Sequence, residues 1–472
     1  MKRLSVWVGA AILSFAPLHM TMAEPASVAR QAVGLRDAAL TANDSYRFVE
    51  ELTTRFGARP AGSDSERNAA LWAVDELKRQ GFENVRLQSF PLQIWERGEE
   101  RLEIIGPFAQ TMVVTALGGS GATPPEGVEG EAALFETWQG FVDYNGDLRG
   151  KIVVILQPTP RTQTGVGYSV GAGSFRRHGP DMARERGAIG YVIRSLGTED
   201  HRFAHTGATR WLGDEGIAAL AISPPDAEQF GRILKLQTEG KAGPVRLRLL
   251  SRPVFRGEGQ SQNVIAEIKG HAYPDEVILI GGHIDSWDLG TGAVDDGAGM
   301  AVTYAAAKLI IDSGLRPERT IRLIFWGAEE VSQPEDKGLA GANAYAEGHV
   351  LTQHIAAAES DFGADLIYAL RLPVSDDPAF VKALGEVLMP LAVHIDKEPS
   401  TGGGPDTGPL NARSVPVFNL RQNGYDYFDV HHTADDTLDR IDPKKLDQNV
   451  AAWVSTVWLM ANSRVKFQAT NK

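Results

Sequence analysis

Residues 281–300 read GGHIDSWDLGTGAVDDGAGM, directly after the apolar run EVILI. His283, Asp285, Asp288, Asp295 and Asp296 therefore fall within fourteen positions. Carboxylates this crowded repel one another, and burial raises the cost. Three arrangements tolerate them: solvation, pairing with cations, or coordination of a metal. Further along the chain, Glu329 and Glu330 follow the apolar run TIRLIFW, Asp361 ends HIAAAESD, and His432 follows VPVFNL after a loop. Imidazole nitrogen and carboxylate oxygen are the ligand types that zinc accepts without sulfur, and the chain has no cysteine. One zinc would be over-supplied by His283, Asp285, Asp361, His432 and a glutamate of the pair, all at strand ends. Two zinc ions about 3.5–4 Å apart, sharing a bridging carboxylate, suit the set better. Asp295, just before a helix beginning at Gly297, is the candidate bridge.

The remaining polar residues take supporting parts. In His283-Ile284-Asp285 the carboxylate lies two residues from the imidazole and can orient its far nitrogen, and Asp436, four residues after His432, can do the same for the second histidine. Asp288 and Asp296 are read as fixing the loop. Adjacent side chains leaving a strand point different ways, so one of Glu329 and Glu330 can hold metal while the other faces a substrate. A carboxylate in that place is a natural general base, taking a proton from water as it attacks a carbonyl. GTG within this loop is a weak phosphate signal, because no GK[ST] or GxGxxG accompanies it.

These residues need a scaffold that brings distant segments to one rim. From residue 262 onward short apolar strands alternate with helical patterns, which predicts an α/β fold with a mostly parallel central sheet covered by helices. Ligands in such sheets sit beyond the carboxyl ends of the strands, where the residues above fall. Residues 26–57 and 63–80 read as helical, the second capped by Asp64 or Ser65 and ended by Gly81, and 84–95 alternates like a strand. GGSGATPPEG then opens a turn-rich stretch, and residues 118–252 hold enough strands and helices to close into a small α/β module. The body would thus comprise residues 24–117 and 253–472, interrupted by that module. His178, His201 and His205 within it are scattered and read as surface or packing residues.

The N-terminus MKRLSVWVGAAILSFAPLHMTMAEP has Lys2 and Arg3, an apolar stretch and small residues ending at Ala23. That is the pattern of a secretory signal at residues 1–23, too short for a membrane span. It predicts a periplasmic or secreted product with no membrane association once the signal is removed. Loss of Lys2 and Arg3 takes the formal charge of the 472-residue chain from −13 to −15. Nucleic acid is excluded as a partner, since binding it requires basic surface.

With GGHIDSWDLGTGAVDDGAG, GLRPERTIRLIFWGAEE, ESDFG and HHTADDT in this order, the chain resembles the co-catalytic di-zinc exopeptidases of clan MH, closest within their glutamate carboxypeptidase branch. The resemblance covers nearly the whole mature chain and includes LTTRFGARPAGS. It implies that His283 and Asp361 hold one zinc and Glu330 and His432 the other, with Asp295 bridging and two zinc ions per chain. It makes Glu329 the general acid/base and Asp285 the residue orienting the first histidine. It selects His432 over His431 through the spacing H-x-x-x-D-T. Where many members carry tyrosine this chain has His431, a candidate hydrogen-bond donor to the oxyanion, with Tyr425 and Tyr427 as rivals. The 118–252 module resembles a protease-associated domain. The expected activity is hydrolysis of short peptides, unsubstituted dipeptides first, by a protein that pairs as a homodimer. The rival expectations are an aminopeptidase acting on longer peptides and, more remotely, a non-catalytic binding protein.

Overall fold

The computed structural model of the protein describes residues 25–470 apart from residue 212, so the signal expected at 1–23 lies outside the described residues. Eleven strands form one sheet. They are β1 (Glu83–Gly106), β2 (Gln110–Met112), β3 (Val114–Ala116), β4 (Val128–Phe135), β5 (Ile152–Ile155), β6 (Gly190–Arg194), β7 (Ala219–Ile222), β8 (Arg246–Ile268), β9 (Tyr273–His283), β10 (Arg319–Trp326) and β11 (His354–Glu359). Their order is β11-β9-β10-β8-β4-β5-β6-β7-β3, with β1 paired to β8 and β2 to β1. The expected parallel character is present in two blocks, β11-β9-β10 and β4-β5-β6-β7. Between them β8 runs antiparallel to both neighbours, and it also pairs antiparallel with β1.

Both blocks are buried on two faces, which is why their strands read as unbroken apolar runs. In β9, Ile278 and Ile280 join a core with Ala301, Ala305 and Trp453 from the helices Ala298–Asp312 and Pro443–Ala461. Val277 and Leu279, one residue out of step, join Ala342 and Tyr345 from the helix Ala340–Gly348 on the other face. The pleat thus assigns alternate residues to opposite cores, and each fully buried aliphatic side chain contributes about 1.5–3 kcal/mol. No helix among the described residues is long and apolar enough to cross a membrane.

Several boundaries differ from the sequence reading. The helix expected over 26–57 is two, Pro25–Ala39 and Asp44–Phe56, separated where Asn43 adopts a left-handed φ of 54°. Helix Asp64–Arg79 is capped by Ser63, whose hydroxyl accepts from the Glu66 N–H at 3.1 Å, rather than by Asp64 or Ser65. The strand expected at 84–95 continues to Gly106 because β8 offers a partner for most of its length. Residue 252 accordingly sits inside β8, and the two blocks are joined by a long two-stranded ribbon there rather than by a linker. VPVFNL yields a strand only at Asn419–Gln422, in a separate three-stranded sheet, while Val417 makes a single bridge to Ala357 of β11.

Candidate metal centre

The carboxyl ends of β10 and β11 open onto one cavity of about 610 Å³, which Asp295, from the loop after β9, lines as well. β9 ends at His283, whose Nδ1–H donates to the Asp285 carbonyl oxygen at 2.8 Å. A carbonyl can only accept, so this bond places a proton on Nδ1 and turns Nε2 inward. Nε2 lies 3.2 Å from Asp295 Oδ1 and 3.8 Å from Asp361 Oδ1. On the other side His432 Nε2 lies 3.2 Å from Asp295 Oδ2 and 3.0 Å from Glu330 Oε2. Its Nδ1–H faces the Thr206 carbonyl at 3.3 Å. Asp295 thus stands between two sets, His283 with Asp361 and His432 with Glu330, presenting one oxygen to each.

This geometry fits the donor set expected for two dications. Buried Asp295 Oδ2 and Glu330 Oε1 have no hydrogen-bond partner, and a buried carboxylate oxygen without one is costly. His283, Asp295 and Asp361 place ligand atoms within 4.8 Å of one another, as do Asp295, His431 and His432. His431 therefore competes for the second position; both histidines approach Asp295 Oδ2, at 3.4 Å and 3.2 Å. Only His432 also meets Glu330.

Electrostatics follow from this packing. Burial pushes the Glu329 carboxyl well above its usual range, with the neighbouring Glu330 and Asp361 charges adding to the shift and His283 opposing it. Burial would raise Asp295 too, but His431, His283 and His432 together hold it well below the normal carboxylate range. Burial and the His432 charge keep His431 well below the usual imidazole value, which suits a neutral ring. Glu329 and Glu330 leave β10 through Ala328, whose φ of 58° is left-handed, and a carboxylate oxygen of each comes within 4.8 Å of the other and of a His283 nitrogen. Glu330 meets His432, while Glu329 lines the open cavity.

Two supporting assignments need correction. The Asp285 carboxylate does not orient His283 by a hydrogen bond, standing 3.8 Å from Nδ1. It accepts the backbone N–H groups of Glu329 at 3.0 Å and Glu330 at 3.2 Å, so it fixes the glutamate pair instead. Asp436 does not bond His432; its two oxygens take the N–H groups of Val294 at 2.6 Å and Asp295 at 3.2 Å. In both cases the carboxylate satisfies unpaired backbone donors in a loop that has no ladder of its own. Asp296 and Asp288 do hold the loop: Asp296 accepts from the backbone of His283 and Gly299, and Asp288 pairs with Arg97. Of the two tyrosine rivals, Tyr425 is 50% exposed, whereas Tyr427 lines the cavity with its ring 4.9 Å from that of His431.

Several contributors escaped the sequence reading. Arg59, fully buried, donates to the carbonyls of Gly57, Ile284, Thr291 and Gly292 and stitches the ligand loop to the N-terminal segment. Burial draws its guanidinium down to about 10, against the pull of Asp436, Asp285, Asp296 and Asp295. Trp287 donates its indole N–H to Glu330 Oε2 at 2.7 Å. Thr206 donates its N–H to the His432 carbonyl at 3.0 Å, helping to hold that histidine at a left-handed φ of 61°, a conformation that costs of order 1–3 kcal/mol and persists only where its surroundings enforce it. His205, read as a packing residue, is buried and bridges Glu199 to the His431 carbonyl. Only Trp287, lying inside the ligand loop, carried a local signal; the others depend on contacts between distant segments.

Residues 263–457 match the family description "Peptidase family M28". Carboxypeptidase Q of Mus musculus is 32% identical over 453 residues, covering 95% of this chain and 92% of that protein. A crystal structure of a peptidase M28 precursor from Shewanella amazonensis is 42% identical, with a TM-score of 0.89, covering 95% of this chain and all of that one. A zinc aminopeptidase from Bacillus subtilis shares the fold, with a TM-score of 0.60 at 18% identity over 88% of this chain and 94% of its own.

Proposed function

The chain belongs to peptidase family M28, and we propose that within it this protein is an exported di-zinc exopeptidase that hydrolyses short peptides, dipeptides first. The observation that carries the reading is Asp295 set between His283–Asp361 and His432–Glu330, with Asp295, Asp361, Glu330 and His432 lining one cavity. Zinc bound there would supply Lewis acidity to the scissile carbonyl and make a nucleophile of water near neutral pH. The chain's own residues do the rest. Glu329 accepts the proton of the attacking water and passes it to the leaving amine, and its raised pKa suits a group that must both take and give a proton. His431, as a neutral ring beside Asp295, is placed to donate to the developing oxyanion.

Residues 118–252 act as an inserted domain that walls the cleft, a role supported by the pairing of Thr206 with His432. The amino-terminal signal pattern supports export, as does the word precursor in the name of the Shewanella relative. The test is a substrate panel for the purified, zinc-loaded protein: a dipeptide, its N-acetyl form and a pentapeptide. Cleavage confined to the free dipeptide is the expected result. Stepwise trimming of the pentapeptide from its N-terminus would make the protein an aminopeptidase, as the Bacillus protein is named. Zinc bound without any hydrolysis would overturn the peptidase reading of the site.

A further inference from the structure

The ribbon of β1 and β8 loses its regular pairing at one point beside the ligand loop. Glu96 pairs with Val254 and Glu99 with Arg252, so Arg97 and Gly98 together face the single residue Pro253. A bulge of this kind turns a side chain out of the alternation of its strand. Two residues suit the place. Pro253 has no N–H to leave unpaired, and a Cβ at position 98 would stand 1.8 Å from the Arg252 carbonyl oxygen, so only glycine fits. The side chain that the bulge aims is Arg97.

The Arg97 side chain is only 9% exposed, and its guanidinium joins three segments. Nε and Nη2 donate to the two oxygens of Asp288, at 2.8 and 3.0 Å, the planar fork that arginine offers a carboxylate. Nη1 donates to Thr115 Oγ1 at 2.7 Å and to the Ala116 carbonyl, at the end of β3. Nη2 also donates to Thr206 Oγ1 at 3.0 Å. From here two short paths lead to the same metal position. Thr206 donates its N–H to the His432 carbonyl at 3.0 Å, and its own carbonyl accepts from His432 Nδ1–H at 3.3 Å. Asp288 directly follows Trp287, whose indole N–H meets Glu330 Oε2 at 2.7 Å. Gly118, two residues past β3, lies against that indole: a Cβ there would come within 2.1 Å of the ring.

The other metal position is held differently. His283 donates its N–H to Asp296 and its Nδ1–H to the Asp285 carbonyl, both in the loop after β9. We propose that Arg97 is a positioning residue for the His432–Glu330 position: it sets His432 through Thr206 and Glu330 through Asp288 and Trp287. The zinc affinity of that position, and not of the His283–Asp361 one, then depends on how residues 118–252 dock on the body. This rests on the di-zinc exopeptidase reading above. A ligand held in place before metal arrives loses little freedom on binding it, which is why partners of metal ligands govern affinity. Arg97 is such a partner at one remove, for two ligands at once.

The test measures zinc binding to the full chain by chelator competition, with dipeptide hydrolysis on the same preparations. The wild type should bind two zinc ions. Arg97→Gln should weaken one of them about 10–100-fold and leave the other unchanged. Its kcat should fall at limiting zinc and recover with excess zinc, while KM for the dipeptide keeps its wild-type value. Arg97→Lys keeps the charge without the fork and should recover part of the affinity. A role confined to ribbon stability would lower the melting temperature and leave the ratio of the two affinities intact. Two backgrounds assign the position. On His432→Ala, Arg97→Gln should not alter the remaining zinc; on His283→Ala it should weaken it. If Arg97→Gln does not fold, Thr206→Val removes the hydroxyl that accepts from Arg97 and should weaken the same zinc several-fold. Both zinc ions weakened alike, neither weakened, or a loss confined to the His283 position would overturn the proposal while leaving the exopeptidase reading in place. A wild type that binds fewer than two zinc ions removes the di-zinc reading and the proposal with it.

Discussion

Strands β9 and β10 on one side of the ribbon, and β5 and β6 on the other, are close in kind: apolar, parallel and buried on both faces. They differ in the residues at their carboxyl ends. Beyond β5, the Gln157 side-chain oxygen accepts the Trp138 N–H, and beyond β6 Ser195 donates to the Ile222 carbonyl. Beyond β7, Ser223 caps the helix Pro224–Thr238. Each polar group there is consumed by local structure. The carboxyl ends of β9, β10 and β11 carry His283, Glu329, Glu330 and Asp361; the last three line a cavity, and buried oxygens on Glu330 and on the nearby Asp295 are left unpaired. Parallel strands provide a rim; chemistry requires polar groups at that rim that the fold itself does not satisfy. The second block contributes in another way, by loops docked onto the first, as Thr206 shows.

Substitutions in the two blocks should therefore behave differently. The largest effect is expected at Glu329→Gln, which should retain bound zinc yet lower kcat by about 10³-fold, since general-base catalysis contributes 10²–10⁴-fold. Metal content and turnover measured on one preparation check this, and turnover near wild type would break the contrast between rim and scaffold. Next comes Trp287→Phe, which deletes the N–H that Glu330 accepts. Zinc affinity should fall about 10–100-fold, as for other partners of metal ligands, with competition against a chelator as the readout. Affinity equal to wild type would show that the indole only fills space. The smallest effect belongs to the second block. Ser223→Ala removes the cap that accepts from the Asp226 N–H at 3.3 Å, at a cost of about 1 kcal/mol in stability by denaturant titration. Its kcat/KM should match wild type; a drop in activity larger than the drop in stability would mean that the two blocks are coupled more tightly than their separate cores suggest.

Much of the candidate centre was legible because several candidate ligands sit where a local pattern ends: an apolar run stops and a carboxylate or imidazole comes next. His283, Asp361 and the pair Glu329–Glu330 needed nothing more than strand recognition, whereas the choice of Glu330 within the pair came from the family resemblance. The supporting contacts were less legible for a physical reason. Asp285 and Asp436 were assigned to histidines by their spacing, but a carboxylate in a loop goes to the nearest unpaired N–H groups, and those belong to segments far away in sequence. Arg59 lies more than two hundred residues from the loop it holds. The length of β1 escaped notice because its second half is stabilised by pairing with β8 rather than by its own alternation.

The order of strands and helices, the apolar faces and the ligand types follow from the sequence alone, because periodicity and residue chemistry are local properties that survive in any arrangement of the chain. Which oxygen faces which nitrogen, the left-handed turns at Ala328 and His432, and the docking of Thr206 on His432 were decided only by tertiary structure. Each of these depends on a contact across the fold whose partner no local pattern names.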